Sequence, residues 1–276
     1  MKIVEISEST KKQATKNEDP INIFCQFFIH KNPARQKEIV ECLKFNVNNK
    51  FINKIYLLNE MIYNDNELGV VSDKIVQYNV KKRLMFYDVY KYILDNDIKG
   101  YNVVINSDIF FDNTIENLCY SDIHINKKMY ALLRYEYNRP NIKKSMLFGP
   151  RFDSQDTWII HSNHNIKQEW LNAFKFEFGK PGCDNKLIYI MKILGYSIIN
   201  DPSFIKSYHN HESQQRDYSN KDVIGQPWGF VVPANTDLNL YQPVCGIDFK
   251  TIKPFTKNFT EVMFDDNTKL YNYILK

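Results

Sequence analysis

The sequence predicts an α/β fold built on a mostly parallel central sheet, and three observations carry that prediction. In the first half, short apolar runs alternate with stretches of helical periodicity, joined by brief links. Tyr101–Ser107 (YNVVINS) reads as a short apolar strand of the kind found in the middle of a parallel sheet. The chain has 276 residues, 43% hydrophobic and 25% charged, enough to bury the core of one large domain.

Taken in order, residues 1–20 (MKIVEISESTKKQATKNEDP) form a polar arm ended by Pro20, without the apolar core of a secretory signal. Ile21–Ile29 reads as a buried strand. The turn HKNP then leads into a helix near Pro33, which sits in the first turn where proline is tolerated; Ile39, Val40, Leu43 and Phe45 supply its apolar face. Lys54–Leu58 is a second strand, closed by Asn59 and Glu60, and Lys74–Val80 is a third. Leu84, Tyr87, Val89, Tyr90 and Ile93 repeat at helical spacing over Arg83–Leu94, before the strand Tyr101–Ser107. Beyond Asn117 the pattern is mixed, with strands at Met129–Tyr135 and Thr157–His161, a helix over Asn185–Leu194 and a strand at Tyr196–Asn200. The expected organisation is an arm (1–20), a main domain (21–218) and a C-terminal extension (219–276) packed on it.

Composition narrows the partners. The formal charge of +4 is the difference between 36 basic and 32 acidic residues, and no extended Lys/Arg cluster points to nucleic acid. It permits a small anionic ligand. Aromatics reach 14%, a bias that an AT-rich coding sequence accounts for. The longest apolar stretch, Ile21–Ile29, is interrupted by Asn22 and Gln26 and is too short for a transmembrane segment. The five cysteines are scattered and form no CxxC pair, which implies reduced thiols in a cytoplasmic compartment.

In open α/β sheets ligands bind beyond the carboxyl ends of the strands, so the informative residues follow each strand. The sharpest string is Asn106-Ser107-Asp108-Ile109-Phe110-Phe111-Asp112. Positions 106 and 108 point the same way at a strand end, where a carboxylate can hold Mg²⁺ or Mn²⁺ while the ion grips a diphosphate. Asp108 could equally just end the strand. Asp112 reads as structural, because Asn113 and Glu116 have capping-box spacing. A second string, FGKPGCDN, makes a sharp loop that opens onto a helix at Asp184, a residue suited to a helix cap. In a third, KSYHNH, His209 and His211 share a face of an extended segment, with Lys206 before them and Arg216 after. The fourth is DSQDTW, in which Trp158 is either a flat surface for a sugar ring or a core residue.

Four such strings in this order resemble the GT-A class of nucleotide-sugar-dependent glycosyltransferases; NSDIFFD in particular is similar to a bacterial and large-virus branch of it. The resemblance covers Ile21 to Tyr218 and leaves out the extension. It implies a GT-A-like, Rossmann-type fold and transfer of a sugar from a nucleotide diphosphate donor, UDP-linked in most such enzymes, to an acceptor hydroxyl on a glycan or another molecule. Asp108 would hold the metal through the class's DxD position, although the first Asp of that motif is Asn106 here. His209 or His211 would close the metal site. Asp184 would be the catalytic base, favouring inversion, with Asp156 as the next candidate. Asn106 and Ser107 would contact the donor, Lys206 and Arg216 would neutralise its pyrophosphate, and His30, Asn32, Arg35 and Arg83 would surround the nucleotide. Two rivals are weighed. A sugar-phosphate nucleotidylyltransferase would carry a glycine-rich loop after its first strand, but FFIHKNPARQ has no glycine. A non-catalytic binding module is suggested by Asn106 and opposed by Asp108, Asp184 and both histidines.

Overall fold

The structure, a computed structural model, describes residues 16–149, 151–215 and 219–234, together with the strand 262–264. The first half runs β1 (Ile21–Cys25), α1 (Pro33–Asn48), β2 (Ile52–Asn59), α2 (Asp65–Leu68), β3 (Ile75–Asn79), α3 (Phe86–Asp95) and β4 (Tyr101–Ile105). It continues through β5 (Ile109–Phe111), β6 (Lys128–Leu132), β7 (Tyr135–Glu136), β8 (Met146–Leu147), β9 (Thr157–His161), α4 (Cys183–Ile193), β10 (Ser197–Ile199) and β11 (Ser207–His209). The last strands are β12 (Gly229–Val231) and β13 (Val262–Phe264), which pair antiparallel.

Seven strands form the central sheet in the order β10-β6-β9-β4-β1-β2-β3. All run parallel except β9, which is antiparallel to both neighbours. The expected mostly parallel α/β architecture is therefore present. Alternation along each strand builds two cores. Ile21, Ile23, Val103 and Ile105 face α1 through its Ile39, Leu43 and Val47. Phe24, Val104 and Trp158 face α3 and α4 through Val89, Tyr90, Leu187 and Ile190. Each such side chain, fully buried, contributes roughly 1.5–3 kcal/mol. Trp158 is 1% exposed and meets Phe86 and Phe178 edge-on, which makes it a core residue and not a platform for a sugar.

A smaller sheet, ordered β5-β11-β7-β8, sits where the chain leaves β4. Sequence periodicity missed it because its strands are two or three residues long. The expected strand Met129–Tyr135 consequently splits into β6 of the large sheet and β7 of the small one. The expected strand Ile21–Ile29 stops at Cys25, because the Phe27 N–H turns to the Asn59 side chain at 2.8 Å. Asp112, not Asn113, caps the turn over Asn113–Tyr120 by accepting from the Thr114 N–H, and that segment is a 3₁₀ helix. Of the C-terminal extension, only 219–234 and 262–264 are described; Val231 is fully buried in the core shared with α4.

Candidate active site

Strand order reverses between β1 and β4: the chain steps from β1 outward to β2 and β3, while β4 lies on the other side of β1. Such a switch point opens a crevice beyond the carboxyl ends of the two strands. The segment after β1 and the segment after β4 meet there.

From β1 the chain reaches α1 through His30 and Asn32. The Asn32 side chain caps α1, accepting from the N–H of Ala34 at 2.9 Å and of Arg35 at 3.3 Å, with Pro33 opening the helix. His30 Nδ1 accepts from the Asn32 N–H at 2.9 Å. This cap sends Arg35 inward from the first turn. Its guanidinium is buried, bonding Glu38 Oε2 at 3.0 Å and the Asn210 carbonyl at 3.2 Å through Nη1, and Asp108 Oδ2 through Nη2.

Asp108 stands in the turn between β4 and β5. Antiparallel pairing of β11 with β5 sets His209 opposite Ile109, and the Asn210 N–H closes the register onto the Asp108 carbonyl at 2.9 Å. Parallel pairing of β11 with β7 sets His209 beside Glu136. The small sheet thus holds the imidazole between two carboxylates: Nε2 lies 3.1 Å from Asp108 Oδ2 and Nδ1 lies 3.1 Å from Glu136 Oε2. Burial opposes charge on the imidazole, but Asp108 and then Glu136 outweigh it and raise the His209 pKa to about 9. Burial likewise opposes ionisation of Asp108, yet His209 and Arg35 hold its carboxyl far below the usual range. His211 differs: burial, with Arg35 and His209 nearby, lowers its pKa below the ordinary imidazole value. Its Nε2 lies 2.8 Å from the Gln215 carbonyl.

Asp108, His209 and His211 are all buried, and each offers a ligand atom within 4.8 Å of the others. Two ligands on one ion stand at most about 4.4 Å apart, twice a bond of roughly 2.0–2.2 Å, so the three groups are gathered at close to the spacing that a shared ion needs. Asp108 Oδ2 and His209 Nε2, 3.1 Å apart, share a proton here, and a cation could take that proton's place. The donor set fits a divalent ion, with one qualification: Arg35 engages the same Asp108 oxygen, which an ion would share or take over.

Beyond Glu136 the contacts continue. Arg134 Nε donates to Glu136 Oε1 at 2.9 Å, and its Nη1 bonds Asp156 Oδ2 and Ser154 Oγ. Asp156 also accepts from Asn106 Nδ2 at 2.7 Å. The result is a chain of alternating charge: Arg35, Asp108, His209, Glu136, Arg134, Asp156. Of these, Arg134 and Glu136, together with Glu38 and Asn210, were not singled out from the sequence. The one trace there was the R-Y-E alternation of positions 134–136, which points both charges to one face.

Asp184 lies apart from this chain but near its end. Pro181 and Gly182 turn the backbone into α4; Gly182 adopts φ +80°, and a Cβ there would meet the Ile224 carbonyl oxygen at 3.0 Å. Gly182 takes the cap position, so Asp184 is in the first turn and is not the cap itself. Its Oδ2 accepts from the Gln155 N–H at 3.1 Å. Burial is the main cause that raises its pKa to about 7; the Gln155 N–H opposes this and the Asp156 charge adds to it.

The remaining expected site residues scatter. Arg83 bonds the Phe178 carbonyl at 3.2 Å and flanks Gly179, whose other neighbour is Asn106. Ser107 lines a small cavity with Cys25, Gln26 and Phe27. Lys206 is not brought to Asp108: it precedes β11 at the far end, where its N–H bonds Thr114 Oγ1 at 2.8 Å. Arg216 lies outside the described residues. Among the described residues Cys25, Cys42, Cys119 and Cys183 are unpaired and buried, and no helix is long and apolar enough to cross a membrane.

No protein-family model matches the sequence, and no curated protein matches it. Among solved structures the fold is similar to GalNAc-T7 with UDP, GalNAc and Mn²⁺, at 9% identity and a TM-score of 0.44, over 70% of this chain and 44% of that one. It is also similar to the mannosyltransferase PcManGT from Pyrobaculum calidifontis in complex with GDP-Man and Mn²⁺, at 9% identity and a TM-score of 0.46, over 74% of this chain and 61% of that one. The chain spans less than two thirds of the length of either structure.

Proposed function

We propose that this protein is a metal-dependent glycosyltransferase that moves a sugar from a nucleotide diphosphate donor to an acceptor hydroxyl. One observation carries the reading: at the switch point of a parallel sheet, Asp108 from the end of β4 meets Arg35 from the segment after β1 and an imidazole from β11. A carboxylate with two imidazoles binds a divalent ion, and the adjacent guanidinium supplies the paired donors that suit phosphate oxygens. The mixed nitrogen and oxygen donors favour Mn²⁺ over Mg²⁺. Asp108, His209 and His211 would hold the ion, which supplies neutralisation of charge on a departing diphosphate.

The protein's own groups do the rest. Arg35 is placed to turn from Asp108 toward the diphosphate. Asp184, poised near neutrality by burial, takes the proton of the acceptor hydroxyl as that oxygen bonds the anomeric carbon; the bond from this carbon to the diphosphate oxygen breaks, and the electron pair leaves with the diphosphate. Attack opposite the leaving group gives inversion. Asp156, held by Arg134 and Asn106, serves better as a brace than as a base. UDP is the nucleotide assigned, on the sequence resemblance.

A thermal-shift panel of UDP, GDP and their sugar conjugates, each with and without Mn²⁺, tests this reading. Ligands that bind the native state raise the melting temperature by mass action. A rise with nucleotide and Mn²⁺ together, larger than with either alone, is expected. No nucleotide-dependent shift under any condition overturns the proposal. Binding without metal-dependent donor hydrolysis reduces the protein to a nucleotide-sugar-binding module.

A further inference from the structure

We infer that Glu136, braced by Arg134, is a positioning residue that fixes the His209 ring so that Nε2 faces Asp108 and a cation bound there; the inference rests on the metal reading above. Glu136 divides its two oxygens. Oε1 accepts from Arg134 Nε at 2.9 Å, and Oε2 takes the Nδ1 side of His209 at 3.1 Å. Arg134 is itself immobilised, with its side chain 7% exposed, its other arm on Asp156, and its guanidinium 3.9 Å from the centre of the Phe148 ring. The carboxylate of Glu136 thus engages both partners at once. So held, it claims the Nδ1 proton and leaves Nε2 to Asp108.

A ligating histidine needs this. An imidazole whose second nitrogen is unclaimed can place its proton on either nitrogen and can rotate; a carboxylate on Nδ1 selects the tautomer and makes Nε2 a stronger donor. The β7–β11 pairing supplies the same constraint through the backbone, by setting His209 beside Glu136. Among the described residues His211 has no carboxylate partner of this kind; its Nε2 is turned to the Gln215 carbonyl. The two histidines thus differ in what faces the second nitrogen: the Glu136 carboxylate for His209 and the Gln215 carbonyl for His211.

The test uses the full chain with Glu136→Leu, Glu136→Gln and Glu212→Gln. Glu212 pairs with Arg139 and does not touch His209, so Glu212→Gln removes a nearby negative charge without removing the contact. Mn²⁺ alone is titrated calorimetrically, and the downfield imidazole N–H proton of His209 is followed by NMR, cation-free and with Mg²⁺. Glu136→Leu should weaken Mn²⁺ binding about 10–100-fold and abolish the Nδ1–H resonance in both states. Glu136→Gln, which keeps an acceptor, should retain the resonance and lose less affinity; it also decides the matter if the leucine variant does not fold. Glu212→Gln should bind like wild type. Wild-type affinity in Glu136→Leu, a retained Nδ1–H resonance, or equal weakening by Glu212→Gln and Glu136→Gln overturns the inference. If wild type itself binds no Mn²⁺, the metal reading falls and the role toward a cation falls with it, while the resonance alone still decides whether Glu136 orients the ring.

Discussion

Asp108→Asn is the most informative single change, because the structure fixes what it removes. The replacement keeps size and hydrogen-bonding capacity and deletes one buried charge that faces two cationic partners, Arg35 and His209. Removing one partner of a buried ion pair costs about 3–5 kcal/mol. Here neither partner is stranded: Arg35 keeps Glu38 and the Asn210 carbonyl, and His209 keeps Glu136. The cost therefore belongs at the low end, about 3 kcal/mol. For a domain of this size roughly 2–4 °C accompanies each kcal/mol, so the melting temperature should fall about 6–12 °C without loss of cooperativity. The His209 pKa should also drop from about 9, because the charge that chiefly outweighs its burial is gone. Scanning calorimetry measures the first effect, and titration of UDP with and without Mn²⁺ measures the functional one. The Mn²⁺-dependent part of UDP binding should vanish. A folded variant that melts within 2 °C of wild type would refute the buried pairing, and one that keeps Mn²⁺-dependent binding would refute Asp108 as a ligand.

Two further outcomes follow from the same geometry. With Asp184→Asn, transfer should fall roughly a hundredfold or more while donor binding stays near wild type; in wild type the rate should rise with pH through about 7, as this carboxyl ionises. The linkage sign is fixed as well: the folded pKa lies above the unfolded value, so the stability Asp184 contributes is present below about pH 4 and is lost as pH rises through about 7. Asp184→Asn should flatten that slope, and a transfer rate equal to wild type would leave Asp184 a structural residue of α4. For the histidine pair, His209→Ala should weaken Mn²⁺ binding at least about tenfold more than His211→Ala, because among the described residues only His209 has a ring nitrogen on a carboxylate other than Asp108. Equal losses in calorimetric titration would contradict the asymmetry.

How much of this was legible in the sequence depends on the range of the interactions involved. Local periodicity carried the large sheet and its helices: β1 and β4 are fully buried runs, β2 is buried over most of its length, and the half-buried edge strand β3 is marked by its β-branched and aromatic residues. Asp108, His209, His211 and Arg35, each read from its place after a strand or in a motif, do meet. What could not be read is pairing between distant short strands. His209 and Asp108 are neighbours because β11 pairs with β5, and nothing in a three-residue strand advertises its partner. The same pairing explains Lys206: three positions before His209 along β11, it lies at the opposite end of the strand, beside Thr114. Glu136 and Arg134 escaped for a related reason, because their meaning arises only when β7 is laid against β11. The helix cap at Asp184 was misjudged because Asp and Gly compete for that position, and the left-handed turn at Gly182 decided it.

On the proposed function, charge balance would tie the donor and the cation together. With His209 protonated, the linked groups comprise the carboxylates of Asp108, Glu38, Glu136 and Asp156 against the cations Arg35, Arg134 and His209, one net negative charge in a largely buried setting. A nucleotide-sugar diphosphate entering alone adds further negative charge to that excess, and a divalent ion entering alone displaces the balance the other way and competes with Arg35 for Asp108. Entering together they would nearly cancel, and Arg35, released from Asp108, would find phosphate oxygens in its place. Each ligand should therefore raise the affinity for the other, and because such coupling is reciprocal, the factor by which Mn²⁺ tightens UDP should equal the factor by which UDP tightens Mn²⁺, which paired calorimetric titrations would measure.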